Sequence, residues 1–269
     1  RSREVFNPPG VFSPQGYVET CSTLAWLQLN RELLAITGEA RYAEEIERSA
    51  YNDLLGAQAP NGEDWCYYVF PNGRRVHTTY WRCCKSSGAM ALEELPALAY
   101  GVDGDAVSVQ LYGPSSATLQ LPAGPLRLQQ ETGYPYRGDV RLRVSLQRPT
   151  AFALRLRIPA WAEGAGISVN GVAVDVAASP GTYASLQRDW SDGDEVSLQL
   201  PMRPRLHRAL NRNVQESRAP DGSEVRQEVL HDAFVALSRG PLVYAAGLVD
   251  GYKTCECIHP PDIGQVSEL

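Results

Sequence analysis

A change of hydrophobic period near Gly101 constrains this chain more than any other feature. Beyond it, apolar residues alternate with polar ones in Val107-Val109-Leu111, Leu119-Leu121, Val140-Leu142-Val144-Leu146, Phe152-Leu154-Leu156-Ile158 and Val196-Leu198-Leu200, with Gly, Pro, Asp or Asn between the runs. Period two is the mark of strands with one buried face, and short strands at such spacing predict an antiparallel β-sandwich. Before Gly101 the spacing is helical. The sequence therefore predicts an α+β multidomain protein, with a helical domain over 1–101 and a β-sandwich region over 102–269, one sandwich or two. Asn211 to Glu228 is polar and charged and reads as an exposed loop, after which Val229 to Val243 returns to strand.

In the helical part, Leu24, Leu27 and Leu34, flanked by Trp26 and Ile36, predict a helix over about 17–37 that Gly38 terminates. A second, over about 39–58, carries Tyr42, Ile46, Ala50 and Leu54 at intervals of four, with Arg41/Glu45 and Glu44/Arg48 as surface pairs. A third is expected from Lys85 to Tyr100, bent or broken at Pro96. Residues 60–79 read as turn, short strand and a Pro-Asn-Gly turn, and 1–16 as a Pro- and Gly-rich entry loop.

Glu19-Thr20-Cys21 and the vicinal pair Cys83-Cys84 bring together three thiols and one carboxylate, a complete donor set for tetrahedral zinc. Glu-x-Cys with Cys-Cys is not the common Cys-x-x-Cys spacing, and the same residues also read as buried thiols or a strained vicinal disulfide. Two residues apart on an ideal helix point about 200° apart, so Glu19 and Cys21 reach one ion only if the backbone is irregular there. Ser86, Ser87 and Gly88 allow another backbone or a ligand to approach closely. Lys85 stands beside the two thiols, and its plain reading is a solvent-facing lysine.

These segments carry a resemblance. GYVETCSTLAWLQLNRELLAITGEARYAEEIERSAYNDLLGAQ, WRCCKSSGAMALEELPALAY and VSVQLYGPS, followed by LRLRIPAWAEGAGISVNG, DWSDGDEVSLQLPM and ALSRGPLVYAAG, are similar in order and spacing to glycoside hydrolase family 127, from about Glu4 to about Gly247. The resemblance implies the C-terminal part of an (α/α)6 barrel, about three of its helices, followed by β-sandwich. It implies a retaining glycoside hydrolase acting on terminal β-L-arabinofuranosides of plant-type glycans. Mapped onto this sequence, Glu19, Cys21, Cys83 and Cys84 match the zinc ligands, Cys83 also the nucleophile, and Glu4 the general acid/base. Lys-Ser-Ser-Gly after the cysteine pair resembles a less characterised branch, which leaves the sugar open. A second reading is a noncatalytic protein in which a closed structural zinc site joins the helices to a carbohydrate-binding or oligomerising sandwich.

Sugar rings present a C–H face that stacks on aromatics, so Tyr80 and Trp81 in the aromatic run that also holds Trp65, Tyr67 and Tyr68 are candidates for substrate binding, with His77 as a hydrogen-bonding partner. The expected partner is a carbohydrate, with a homodimer through the sandwich among the assemblies this reading allows. A formal net charge of -6 lacks the basic stripe of a nucleic-acid surface, and no apolar stretch is long enough to span a bilayer. Of six cysteines, Cys66, Cys255 and Cys257 remain after the zinc set, an odd number that cannot all pair within the chain. That points to a reducing, cytoplasmic compartment. The chain starts at Arg1 and enters the family pattern almost at once, which reads as a fragment or processed piece.

Overall fold

The computed structural model describes residues 17–70, 75–78 and 82–245. Glu4, Tyr80, Trp81, Cys255 and Cys257 lie outside the described residues. A short strand β1 (Val18–Glu19) leads into α1 (Thr20–Thr37), and α2 (Ala40–Arg48) runs through a π-helical segment, Ser49–Leu54, into one last turn, α3 (Leu55–Ala57). Three two-residue strands follow, β2 (Trp65–Cys66), β3 (Tyr68–Val69) and β4 (His77–Thr78), and then α4 (Arg82–Glu94), which tightens into a 3-10 turn at Leu95–Leu98 where Pro96 ends it.

The stripe expected on α1 is the one buried: Leu24, Leu27 and Leu34 face α2 and α4, while Trp26, Leu29 and Ile36 stay exposed. Gly38 adopts the left-handed conformation at φ 67° and returns its N–H to Leu34 O at 2.8 Å, the helix-ending turn that glycine makes without strain. A strict interval of four drifts by about 40° per step around an α-helix. The wider π-helical segment takes up that drift, so Ile46, Ala50 and Leu54 are all buried.

Beyond α4 come β5 (Tyr100–Asp103), β6 (Ala106–Val109), β7 (Ser115–Leu121), β8 (Gly124–Thr132), β9 (Asp139–Leu146), β10 (Thr150–Ile158), β11 (Gly166–Val169), β12 (Val172–Ala173), β13 (Thr182–Trp190) and β14 (Glu195–Gln199). One six-stranded antiparallel sheet has the order β12-β11-β14-β9-β8-β7, and a four-stranded sheet has the order β13-β10-β6-β5, in which β10 and β6 run parallel. Their inner faces share one core. On β9, Val140, Leu142 and Val144 point in and Arg141 and Arg143 out; on β10, Phe152, Leu154, Leu156 and Ile158 point in. The opposite face of β10 carries Arg157, which is equally inaccessible because α2 covers it.

One expectation is corrected by the last elements, β15 (Pro204–Arg218), β16 (Glu224–Arg239) and β17 (Leu242–Val243). Residues 211–228 do not form a polar loop: they are the outer half of a long antiparallel hairpin, paired from Pro204↔Arg239 to Arg218↔Glu224, with a register shift between Asn213 and Val214. Only the tip turns, where Gly222 at φ 86° closes onto Ala219 O and Asp221 accepts from the Ser223 N–H. The outer ribbon is solvated around Ser217 and Arg226, so it needs no apolar face and its polar composition does not signal a loop. Among the described residues no helix is long and apolar enough to cross a membrane.

Candidate functional site

Two helix starts converge to build the site. At Glu19 the backbone is extended, φ -84° and ψ 135°, so the chain enters α1 only at Thr20. Thr20 fixes this entry twice, its N–H donating to Tyr67 O at 3.1 Å and its hydroxyl to Cys66 O at 2.8 Å. Cys21 thus sits in the first turn of α1, and Cys83 and Cys84 sit in the first turn of α4. Three sulfurs are thereby gathered at the starts of two helices.

The sulfur atoms of Cys21, Cys83 and Cys84 all lie within 4.8 Å of one another. Cys21 Sγ is 3.5 Å from Cys84 Sγ, and Cys83 Sγ is 3.9 Å from Cys84 Sγ, so the vicinal pair is not a disulfide and all three thiols are free. Zinc–thiolate bonds of about 2.3 Å in a tetrahedron place sulfurs about 3.8 Å apart. The three sulfurs and their spacing therefore suit three corners of a zinc tetrahedron. Burial pushes the Cys84 thiol well above its ordinary pKa, and contact with the neighbouring sulfurs adds to the rise. Burial also raises Cys21, against the lowering effect of a hydrogen bond from the Ser87 hydroxyl to its sulfur at 3.4 Å. A bound cation is the partner that would offset crowded, partly buried thiolates.

The three sulfurs differ in access: Cys84 is buried, Cys21 half-buried and Cys83 exposed. Glu19, immediately outside α1, is half-buried, and its carboxylate is not in the 4.8 Å group. His77 lies in β4 opposite Cys66 of β2; burial and then the nearby Arg75 push its pKa below the usual histidine value, and its Nε2 is buried with no hydrogen-bond partner among the described residues. Cys66 is a buried free thiol, raised to about 11 by burial. Tyr17 and Tyr67 both pack on Tyr68, with ring centroids 4.1 and 4.4 Å away, beside the Thr20–Tyr67 hydrogen bond. Trp65 has no free face: it is 3% exposed and seats against α4.

Gly88 is the seat of that contact. A Cβ there would stand 2.4 Å from the Trp65 ring, so the close approach left open by the small residues after the cysteine pair is taken by an indole of this chain. Gly88→Ala is expected to cost about 1–3 kcal/mol by overpacking and to shift α4 with its two cysteines. A lowered chemical-denaturation midpoint is the result that checks it; an unchanged midpoint would refute the packing argument.

Two contacts escaped the sequence reading. Ser87 lies three and four residues after the cysteine pair, a helical spacing that puts it on their side of α4 and marks it as a neighbour of the cluster. Glu44, read as a solvating charge paired with Arg48, instead reaches Arg157 Nη1 at 3.0 Å, and Glu47 reaches Arg157 Nη2 at 2.5 Å, while Arg48 pairs with Glu45 at 3.1 Å. Tyr134 donates to Glu47 at 2.7 Å, so a buried polar network ties α2 to the outer face of β10.

Comparison with known proteins places this arrangement. Residues 1–97 match the model for the "Beta-L-arabinofuranosidase, GH127 catalytic domain", and residues 106–202 match that for the "GH127 middle domain". A curated relative, the non-reducing end β-L-arabinofuranosidase of Bifidobacterium longum subsp. longum, is 26% identical over 254 residues, covering 87% of this chain and 36% of the relative. A solved glycoside hydrolase shares 30% identity at a TM-score of 0.70, over 85% of this chain and 37% of its own. A solved GH127 β-L-arabinofuranosidase from Geobacillus stearothermophilus T6 shares 29% identity at a TM-score of 0.66, over 86% of this chain and 36% of its own. The chain thus spans little more than a third of the length of these relatives. With both domain models in order and the helix-to-strand change falling between them, the chain belongs to glycoside hydrolase family 127.

Proposed function

We propose that the whole protein is a retaining glycoside hydrolase that removes terminal β-L-arabinofuranosyl units, with Cys83 as nucleophile and zinc held by Glu19, Cys21, Cys83 and Cys84. The observation that carries this reading is the gathering of the Cys21, Cys83 and Cys84 sulfurs at zinc-like spacing. When bound, zinc keeps the thiols deprotonated at neutral pH. The Cys83 thiolate attacks the anomeric carbon, the C–O bond to the leaving group breaks, and a carboxylic acid protonates the departing oxygen. The resulting S-glycosyl cysteine is then attacked by water that the same group, now a carboxylate, deprotonates; the C–S bond breaks, the thiolate returns and the anomeric configuration is retained. Glu4 is proposed for the acid/base role.

In the same proposal, residues 1–101 contribute to an (α/α)6 barrel and 102–269 form the β-sandwich region. The relatives' names supply the sugar: those proteins are β-L-arabinofuranosidases. The match of residues 1–97 to the GH127 catalytic-domain model favours catalysis over a purely structural zinc site.

The test is zinc content and hydrolysis of an aryl β-L-arabinofuranoside in one reduced preparation of the whole protein. One zinc per chain with turnover that chelation abolishes is expected. Zinc without turnover would leave a structural site, and turnover without zinc would remove the metal-bound nucleophile.

A further inference from the structure

The wall between α2 and the β15–β16 hairpin holds a cavity of about 420 Å³ that shares no residue with the cysteine cluster. It is lined by Glu44 and Arg48 of α2, Trp161 in the turn after β10, and Arg205, His207 and Ser238 of the hairpin, with Ala160, Pro241 and Val243 supplying apolar wall. Its size lies within the range of small-ligand pockets, about 300–1,000 Å³, and its makeup, apolar walls with a few convergent polar groups, is theirs as well.

Each polar group has capacity to spare or a partner that a hydroxyl can join. Glu44 Oε2 accepts from Arg157 and from the Ala160 N–H, while Oε1 has no partner among the described residues. Arg205 is held only loosely, 4.0 Å from Glu163. His207 Nε2 and Ser238 Oγ, 2.7 Å apart across the hairpin, form an exposed donor–acceptor pair. Trp161 is held in place by Tyr134, to which it is stacked at 27° with centroids 6.4 Å apart, and its buried indole N–H lacks a hydrogen-bond partner among the described residues. A fixed indole beside a carboxylate, guanidinium groups and a His–Ser pair suits a polyhydroxylated ring with an apolar C–H face. The charges nearly cancel: Glu44 and Glu47 share Arg157, Arg48 pairs with Glu45, and Arg205 faces Glu163. The ligand that fits is therefore neutral.

We propose that this cavity is a second carbohydrate-binding site, which holds a neutral sugar unit of the glycan while another part of it is processed at the cysteine cluster. The inference rests on the reading that the whole protein acts on carbohydrate. The test uses the whole protein carrying Cys83→Ser, which keeps an arabinofuranosyl disaccharide intact, and measures binding by calorimetry and by tryptophan fluorescence. Two sites are expected, and Trp161→Ala should remove one of them. Because that variant can also disturb packing on Tyr134, Arg205→Ala and His207→Ala on the exposed hairpin provide the second measurement: each should weaken the same site about tenfold, the loss of one good polar contact. With Cys83 restored, these hairpin variants should leave kcat on a small aryl arabinofuranoside unchanged and raise KM on an oligosaccharide. A single site insensitive to all three changes would overturn the inference and leave the proposed reaction standing. A site sensitive to them in a protein that hydrolyses no arabinofuranoside would overturn the reaction and leave a carbohydrate-binding cavity.

Discussion

Replacing Cys83 with serine in the whole protein is expected to lower kcat on an aryl β-L-arabinofuranoside by about 10⁴-fold or more, the scale on which enzymes depend on a covalent nucleophile. Serine keeps the shape of the side chain but not the chemistry, because its hydroxyl stays protonated where a metal-bound thiol does not. The fold should survive, since Cys83 is exposed and belongs to neither hydrophobic cluster. Cys84→Ser is the matched control. Cys84, about 100° further round the first turn of α4, is buried and lies 3.5 and 3.9 Å from the other two sulfurs, so its loss should release zinc and lower stability as well as activity. Both serines remove a proposed zinc ligand and should weaken zinc binding, so the comparison that identifies the nucleophile is kcat at saturating zinc, where Cys83→Ser should stay inactive and Cys84→Ser should recover turnover in part. A Cys83→Ser protein with normal turnover would remove the nucleophile assignment, whatever its metal content.

Much of the scaffold around that cysteine is legible in the sequence because burial imposes a period. Leu24, Leu27 and Leu34 mark α1, Gly38 ends it, and the alternation in β9 and β10 gives the faces that meet in the sheet core. The parallel pairing of β10 with β6 is not legible: alternation states which face is buried but not which neighbour a strand takes. The hairpin over 204–239 was hidden for a related reason, since a solvated ribbon carries no period at its polar end. At the site, the three cysteines come together as their residue types suggest, because each stands in the first turn of a helix whose entry is fixed elsewhere, Cys21 through Thr20 and α4 through the Gly88–Trp65 contact. Glu19 is harder to read, since its reach depends on a backbone angle at the helix boundary that no propensity specifies. Glu44 reads as a surface charge on α2, and only the arrival of β10 from 110 residues away shows that one cation satisfies both it and Glu47.

Removing that cation should have the largest effect on stability. Arg157 has no exposed side-chain surface, and it lies between Glu44, 14% exposed, and Glu47, 2% exposed, with its Nε donating to Gln110 O at 2.6 Å. Burial opposes its charge, yet the Glu47 and Glu44 carboxylates hold its pKa above the usual value. Arg157→Met leaves two carboxylates facing each other with little water, and breaking a buried pair in this way costs about 3–5 kcal/mol. Arg157→Lys should recover little, because one ammonium cannot reproduce a fork that reaches both carboxylates and a carbonyl. The pH dependence separates charge from packing. In the native protein burial pushes the Glu47 carboxyl up, while the guanidinium and the Tyr134 hydroxyl pull it down. Without the guanidinium its folded pKa rises further above the unfolded value, so the folded state takes up a proton that the unfolded state releases. The deficit of Arg157→Met should then be complete at pH values above the raised folded pKa and shrink as the pH falls towards the unfolded one. Adding Glu47→Gln should recover part of the stability at neutral pH and flatten that dependence, as measured by denaturation midpoints across pH. A deficit that stays constant with pH would mean that lost packing, not an unpaired charge, is what the substitution exposes. Because α2 packs on α1, whose first turn holds Cys21, a chain that loses this tie between sheet and helices should also lose precision in the sulfur cluster. Weaker zinc binding in Arg157→Met, restored in part by Glu47→Gln, is the signature of that coupling.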